Sequence, residues 1–419
     1  MRFLHAADLH IDSPLRGLDS GAGAPAERLR SATRHAAERM VELAEQHEVD
    51  FVVLAGDIFD GPWQDMRTGI WTSQLLAKLA HRHVPVFMLR GNHDAQSKVR
   101  QAVSWPANVQ EFPVDRPATF TLPKQNVALH GQGFAEPKVM ADLAANYPAA
   151  RPGMLNIGVL HTSLTGNPEH DTYAPTTEAT LASKGYDYWA LGHIHLREVV
   201  REANPCIVFS GNTQGRHIRE TGAKGCYLVD LQPHEPPQLT FCETDCLRWQ
   251  RIELQLQEQQ SLADVFDAAE AEFRRVVERE DGRFVVARVV LRGACRAHRE
   301  LLSSAALHEA SAELRARSTH VRDLWLEKIQ WETRPLVDVE RLRQGQDLLG
   351  ELLRDLQTAS EDPDRLAALA VALEPLEHKA PTQLKDAEIQ LNNPEQLAKW
   401  LKQAEGMLVS LLQGGGGEP

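Results

Sequence analysis

The stretch Phe51-Val-Val-Leu-Ala55, running into Gly56-Asp57-Ile-Phe-Asp60, decides the fold class. Five successive apolar residues leave no polar face, as in a strand covered on both sides, and the glycine ends the strand beside two carboxylates. The same grammar recurs on either side. Val84-Pro-Val-Phe-Met-Leu89 leads into Gly91-Asn92-His93-Asp94, and Arg2–Ala6 leads into Asp8-Leu-His10. Leu155–Leu160 leads into His161, and Tyr188–Leu191 into Gly192-His193-Ile-His195. Val127–Leu129, Ile207–Phe209 and Cys226–Leu231 are further strands. Between them, Pro25 to His47 places Leu29, Ala32, Ala36 and Met40 on one helical face, and Thr68 to His81 does the same with Trp71, Leu75, Leu76 and Leu79. Buried strands alternating with helices predict a layered α/β domain.

The 419 residues favour two or three domains, and 42 % hydrophobic with 25 % charged residues excludes a disordered chain. No apolar run reaches 18 residues, and Asp8 interrupts the first one, so neither a spanning helix nor a signal peptide is expected, and no membrane partner. Five cysteines with no CxxC pair argue against a disulfide framework or a thiolate zinc knuckle and for a reducing, cytoplasmic setting. The net charge of −13 excludes a strongly basic surface as a global property. The texture changes near Arg248. Trp249–Leu256, Phe284–Leu291 and Val321–Trp331 read as strands and Ser261–Glu280 and Ala297–Arg317 as helices, a small α+β unit. Beyond Pro335 the chain is rich in Leu, Glu and Gln, with Pro363, Pro375, Pro381 and Pro394 punctuating short helices. The expected domains are 1–247, 248–334 and a helical region 335–412, with 413–419 a disordered tail.

Each motif alone has a plain structural reading. A lone Asp-x-His is commonly a surface aspartate beside a core histidine, and Gly-Asp-x-x-Asp can be a turn with a helix cap. Five such motifs, each at a strand exit where α/β sheets place ligand sites, point to chemistry instead. Residues two apart on extended chain point the same way, so Asp8/His10 and His193/His195 can each offer two ligands to one cavity. With Asp57, Asn92 and His161 they make a set of oxygen and nitrogen donors without thiolate, suited to two divalent ions: manganese first, with iron, zinc or magnesium as alternatives.

These motifs resemble those of the calcineurin-like metallophosphoesterases. Phe3-Leu-His-Ala-Ala-Asp-Leu-His-Ile-Asp-Ser-Pro14 and Gly211-Asn-Thr-Gln-Gly-Arg-His-Ile-Arg-Glu-Thr-Gly-Ala-Lys-Gly225 are similar to the YhaO-type branch of the SbcD-like DNA repair exonucleases. The resemblance covers about residues 1–230 and implies a sandwich of two mixed sheets flanked by helices, with 248–332 as a small capping domain. It further implies that Asp57 bridges two metals, that Asp8, His10 and His195 complete one, and that Asn92, His161 and His193 complete the other. By the same resemblance His93 is the proton donor and Asp94 is placed to orient it.

Other residues are assigned elsewhere. Asp12 and Asp60 are expected to hydrogen-bond their loop, His5 to pack in the core, and His170 and Asp171 to be solvated; His130 ends a strand but matches no family position. Arg216, His217 and Arg219 are candidates for substrate phosphates, the alternative for the arginines being an ion pair with Glu220. The expected activity is metal-dependent phosphodiester hydrolysis by a DNA exo- or endonuclease. The alternatives are a small-molecule or cyclic-nucleotide phosphodiesterase and a non-catalytic scaffold. The resemblance implies an SMC-like coiled-coil ATPase as partner, docked by C-terminal helices, and homodimers formed through helices near Pro25–His47 and Thr68–His81. The apolar face Leu348, Leu349, Leu352, Leu353 and Leu356 is open to docking of that kind or to packing within the chain.

Overall fold

The computed structural model describes residues 1–13, 25–61, 65–97, 103–164, 173–336, 339–380, 384 and 389–414. The chain divides into two compact units, Met1–Gln250 with Arg283–Val286, and Arg251–Gly282 with Ala287–Pro419.

The first unit runs β1 (Arg2–Ala6), α1 (Ala26–Gln46), β2 (Phe51–Leu54), α2 (Met66–Lys78), β3 (Val86–Met88), α3 (Asn92–Gln96), β4 (Val109–Glu111), β5 (Ala118–Leu122), β6 (Val127–Gly131), β7 (Leu155–His161), α4 (Glu178–Ser183), β8 (Tyr188–Gly192), β9 (Glu198–Arg201), β10 (Cys206–Phe209), β11 (Gly225–Asp230) and β12 (Gln238–Glu243). They form two six-stranded sheets, β12-β11-β1-β2-β3-β4 and β5-β6-β7-β8-β10-β9. Both are mixed. In the first, β1 to β4 are parallel and β11 pairs antiparallel with both β1 and β12; in the second, β6, β7, β8 and β10 are parallel, with β5 and β9 as antiparallel edges.

Strand alternation divides the apolar residues between layers. Phe3, Phe51 and Phe87 face inward to Ile157, Tyr188 and Val208 of the other sheet, with Phe3 stacked on Phe51 at 4.9 Å and edge-on to Tyr188 at 5.3 Å. Each ring is fully buried, which stabilises the fold by about 2–3 kcal/mol relative to exposure. The intervening Leu4, Val52 and Leu54 turn outward onto Met40, Leu75 and Leu76 of α1 and α2. Pro25 is the residue before α1, and Asp65 caps α2 by accepting a hydrogen bond from the Arg67 amide at 2.9 Å.

The next strand, β13 (Leu247–Gln255), leads through α5 (Leu262–Arg279), β14 (Phe284–Ala294) and α6 (Ser304–Ser318) to β15 (Leu324–Arg334), giving a three-stranded sheet in the order β13-β14-β15. The Phe284 amide donates to Cys246 O at one end of the β13–β14 pair and the Leu256 amide to Arg292 O at the other, so these strands run parallel, as helical crossovers require. Ser261 caps α5 reciprocally with Asp264. The helix expected over Ala297–Arg317 is split. Arg296–Leu301 is a 3-10 turn, and Ser303 starts α6 by accepting from the Ala306 amide, a role serine fills better than a mid-helix position.

The second unit continues with α7 (Val339–Arg343), α8 (Leu348–Glu361), α9 (Pro363–Lys379) and α10 (Pro394–Gly414). Pro375 does not end a helix as the sequence suggested; it lies inside α9. The carbonyl it leaves without an amide belongs to Val371, whose side chain is 68 % exposed, so solvent can take the lost bond. Pro381 and residues 415–419 lie outside the described residues, and 413 and 414 belong to α10. On α8, Leu353 is buried while Leu348 and Leu352 are exposed. Among the described residues no helix is long and apolar enough to cross a membrane.

Candidate metal centre

Every cluster residue follows the carboxyl end of a parallel strand. Asp8 and His10 follow β1, Asp57 follows β2, Asn92 follows β3, His161 ends β7, and His193 and His195 follow β8. The period-two argument for Asp8/His10 and His193/His195 does not describe how they converge. Asp8, His10, Asp57 and His193 have φ of 52°, 43°, 51° and 97°, a left-handed region that L-residues avoid. The backbone is held there by its neighbours: the Asp8 amide donates to Gly56 O at 3.0 Å and the His10 amide to Asp57 O at 3.1 Å. Such strain persists where surrounding bonds over-determine it, typically at functional sites. Two glycines admit the close approach: a Cβ on Gly91 would strike the Asp57 carboxylate, and one on Gly192 the carbonyl of Ala55.

Asp57 is the centre of the arrangement. Its Oδ2 lies 3.4 Å from His161 Nε2 and 3.9 Å from His10 Nε2. On one side, His195 Nε2 is 3.2 Å from His10 Nε2 and 3.8 Å from Asp8 Oδ1. On the other, Asn92 Oδ1 is 3.0 Å from His161 Nε2, and the His193 ring stands 5.3 Å from the His161 ring. Asp8, His10 and His195 form one metal-binding cluster, and Asp8, Asp57 and His161 another, each with donor atoms within 4.8 Å of one another. Asp8, His10, Asp57 and His161 are at most 1 % exposed.

The histidines are already aimed. Nδ1 of His161 is 2.9 Å from Ala55 O and Nδ1 of His195 is 2.7 Å from Glu220 Oε1, so both rings turn Nε2 into the cluster. A carboxylate or carbonyl behind a histidine fixes its tautomer and raises its basicity as a ligand. His10 Nδ1 is buried without a hydrogen bond among the described residues. Imidazole nitrogens facing each other across 3.2 Å beside two buried carboxylates are unfavourable packing and good coordination chemistry, so the donor set fits a dinuclear metal cofactor. Electrostatics agree. Burial, joined by the Asp57 charge, raises the Asp8 carboxyl against the pull of His195 and His161; burial also opposes charge on Asp57, but the His161 and His10 imidazoles outweigh it and hold Asp57 well below the usual carboxylate range. His161 answers in kind: against burial, the Asp57 and Asp8 carboxylates lift it to about 9.

A third cluster joins His10, Asp60 and His93. Asp60 was expected to serve only its loop. It does accept from Ser13 Oγ, but its Oδ1 also lies 2.9 Å from His93 Nδ1, 3.6 Å from His10 Nδ1 and 3.5 Å from an Arg216 terminal nitrogen. Asp94, expected to orient His93, accepts from the amides of Ile58, Phe59 and Gly91 at 3.0–3.1 Å and is fully buried. The second carboxylate of Gly-Asp-x-x-Asp was the available signal for Asp60. Burial works against charge on His93, yet Asp60 and Asp57 prevail and raise it.

The segment after Gly211 returns to the site through Glu220. Besides His195, this carboxylate receives Asn212 Nδ2 at 2.9 Å and the Arg216 amide at 2.7 Å. The Arg216 side chain passes over it to Ser13 and Asp60, with Nε buried and unpartnered among the described residues. His217 Nε2 is 3.3 Å from Glu220, and Arg219 is exposed, its amide donating to His217 Nδ1. Away from the site, His5 bonds Tyr188 Oη and Leu191 O, His130 bonds Thr119 and Asn156, and Asp12 pairs with Arg34 at 2.6 Å. His170 and Asp171 lie outside the described residues.

Comparison with known proteins adds the family. The family model of calcineurin-like phosphoesterases matches residues 1–197, and that of the middle domain of metallophosphoesterase YhaO matches 249–334. An uncharacterized metallophosphoesterase YhaO from Bacillus subtilis (strain 168) is 32 % identical over 296 residues, which cover 70 % of this chain and 72 % of the relative. Among solved structures, TT1561 of Thermus thermophilus is similar at 12 % identity, covering 57 % of this chain and 98 % of its own, with a TM-score of 0.32. A dimetal phosphatase from Danio rerio is similar at 13 %, covering 58 % and 96 %, with a TM-score of 0.37. With metal-binding clusters assembled from the expected strand exits and the Bacillus relative matched over most of its length, the chain belongs to the YhaO family of calcineurin-like metallophosphoesterases.

Proposed function

We propose that the protein is a dinuclear-metal-dependent phosphodiesterase whose substrate is DNA, an exo- or endonuclease of DNA repair working with an SMC-like coiled-coil ATPase in the cytoplasm. The observation that carries the reading is the convergence of two metal-binding clusters with a carboxylate-held histidine and an arginine. Asp8, His10, His195 and Asp57 would hold one ion, and Asp57, Asn92, His161 and His193 the other, with manganese the first choice for these oxygen and nitrogen donors. Bound divalent ions supply a phosphate clamp and a water of lowered pKa.

The chain's own groups do the rest. Arg216 neutralises a non-bridging phosphate oxygen, its guanidinium already turned to the site. His93, 30 % exposed at its side chain, delivers a proton from Nε2 to the leaving oxygen while Nδ1 donates to Asp60. His217 and Arg219 are assigned to flanking phosphates of a longer substrate. DNA is favoured over a small ester by the second unit and by the Gly211–Gly225 segment. The exposed Leu348 and Leu352 of α8 suit a helical partner, and the exposed Met66 and Ile70 of α2 a homodimer. All five cysteines are free, in keeping with a reducing compartment.

The test is hydrolysis by metal-free protein reconstituted with manganese, comparing a bis-aryl phosphodiester with end-labelled single- and double-stranded DNA and using Asp57→Ala as the blank. Cleavage of both, lost in the variant, supports the nuclease. Cleavage of the small ester alone, with and without the ATPase, transfers the reading to a small-molecule phosphodiesterase. Two bound metals and no hydrolysis would leave a scaffold.

A further inference from the structure

The second unit holds a cavity of about 530 Å³ whose lining is divided by chemistry. Part of the lining, one wall, is apolar: Leu301 at the end of the 3-10 turn, Leu302 just after it, Leu307 from α6 and the Trp331 indole of β15. The indole is fixed, because its Nε1 donates to Ser311 Oγ at 2.9 Å. The rest of the lining, which forms a rim, is largely cationic. Arg292, Arg334, Lys399 and Lys402 face the cavity against a single carboxylate, Glu332. Lys399 meets that carboxylate at 3.0 Å, but it is 59 % exposed, and an exposed pair of this kind holds weakly and exchanges readily for another anion.

His298 also lines the cavity. It is 8 % exposed; Nδ1 is 2.9 Å from Thr333 Oγ1, and Nε2 is buried with no hydrogen-bond partner among the described residues. Arg292 shows the same feature at Nε, although its terminal nitrogens reach Glu253 at 3.4 Å and Glu332 at 3.2 Å. Two residues of the lining thus carry a buried polar atom left unpaired, which is costly unless a ligand uses it. An apolar wall with a few converging polar groups is the usual composition of a small-molecule site, and the volume is in the usual range.

From this lining we infer that the second unit binds an organic anion of mononucleotide size. The ring system lies against Leu301, Leu307 and Trp331, its acidic group meets Lys399 and Lys402, and His298 Nε2 bonds a polar ring atom. A free phosphate would leave the apolar wall wet, and an uncharged nucleoside would leave the rim unmatched. None of the metal-cluster residues contributes, so the site stands or falls independently of the phosphodiesterase reading.

The experiment is isothermal titration of the full chain with adenosine monophosphate, adenosine, inorganic phosphate and decanoate, in an Asp57→Ala background that disables the metal centre. One equivalent of the monophosphate should bind, with each of the other three at least about tenfold weaker. Lys402→Glu, an exposed change, and Leu307→Trp, which fills the cavity, should each weaken the monophosphate by about tenfold or more, with the thermal transition of the unliganded protein retained. His298→Gln tests the buried nitrogen in the same titration and should also weaken it. Absence of binding at millimolar ligand, binding indifferent to both Lys402→Glu and Leu307→Trp, or phosphate, adenosine or decanoate matching the monophosphate would each overturn the inference.

Discussion

Oδ1 of Asp60 lies 2.9 Å from Nδ1 of His93, so a carboxylate from the loop after β2 stands behind the candidate proton donor. Asp60→Asn keeps the shape and removes the charge that favours imidazolium. The proton on His93 is then lost at lower pH, so the falling limb of the kcat profile should move toward acid, with kcat at neutral pH down about tenfold to a hundredfold. Metal content measured on the same samples should stay at two ions per chain. A limb that does not move would remove Asp60 from the mechanism.

Asp94 should behave differently. Its carboxylate accepts three amide hydrogens in a fully buried place, an anchor for the loops carrying Asp57 and His93. Asp94→Asn turns part of that acceptor into a donor and should cost about 2–3 kcal/mol of stability, read from urea midpoints. The pH limb of the surviving activity should remain in place. A shifted limb with unchanged stability would return the orienting role to Asp94.

Glu220 has a separate part. It holds His195 at Nδ1 from a segment 25 residues further along the chain. Glu220→Gln should weaken metal binding about tenfold to a hundredfold in chelator competition, the usual effect of losing a carboxylate behind a metal-binding histidine. Unchanged affinity would mean that His195 is oriented by its loop alone.

The layers and the strand exits were legible because they rest on local properties: apolar runs ended by glycine, and polar residues with no packing reason to follow them. Phe51–Leu54 and the adjoining Asp57 are examples. What stayed hidden depends on distant partners. Asp57 and Asp60 look alike in sequence, and only the tertiary path of α3 brings His93 to the second. Glu220 reaches His195 because the chain doubles back after β10. The left-handed backbone at Asp8, His10 and Asp57 has no signature in residues that normally avoid it, so alternation suggested an extended presentation that the chain does not use. Pro375 misled because its cost depends on whether the lost bond faces solvent.

The two arginines after Gly211 separate by burial. Arg216 reaches Ser13 and Asp60, whereas Arg219 is exposed. Arg216→Ala should raise KM for both a small phosphodiester and DNA by about tenfold, and Arg216→Lys should recover only part, since lysine lacks the guanidinium fork. Arg219→Ala should leave the small ester unaffected and weaken DNA alone, lowering its salt dependence by about one phosphate contact. Equal losses on the small ester for both variants would show that burial does not divide their roles.

His5 supplies a pH dependence of the fold itself. It is fully buried in β1, bonded to Tyr188 Oη and Leu191 O, and burial pushes its pKa down to about 3. The unfolded chain takes up a proton there near pH 6.5, while the folded chain does not until far lower pH. The unfolded state therefore binds more protons across that window, and stability falls as the pH drops from 6.5 toward 3. Between pH 7 and pH 5 this one group should remove about 2 kcal/mol. In metal-free protein, His5→Gln should lose correspondingly less stability than the parent over that interval, even if its stability at pH 7 is lower. Parallel urea-midpoint profiles for the two proteins would mean that His5 is protonated within the fold, with the Leu191 carbonyl and Tyr188 hydroxyl carrying the charge that burial was expected to exclude.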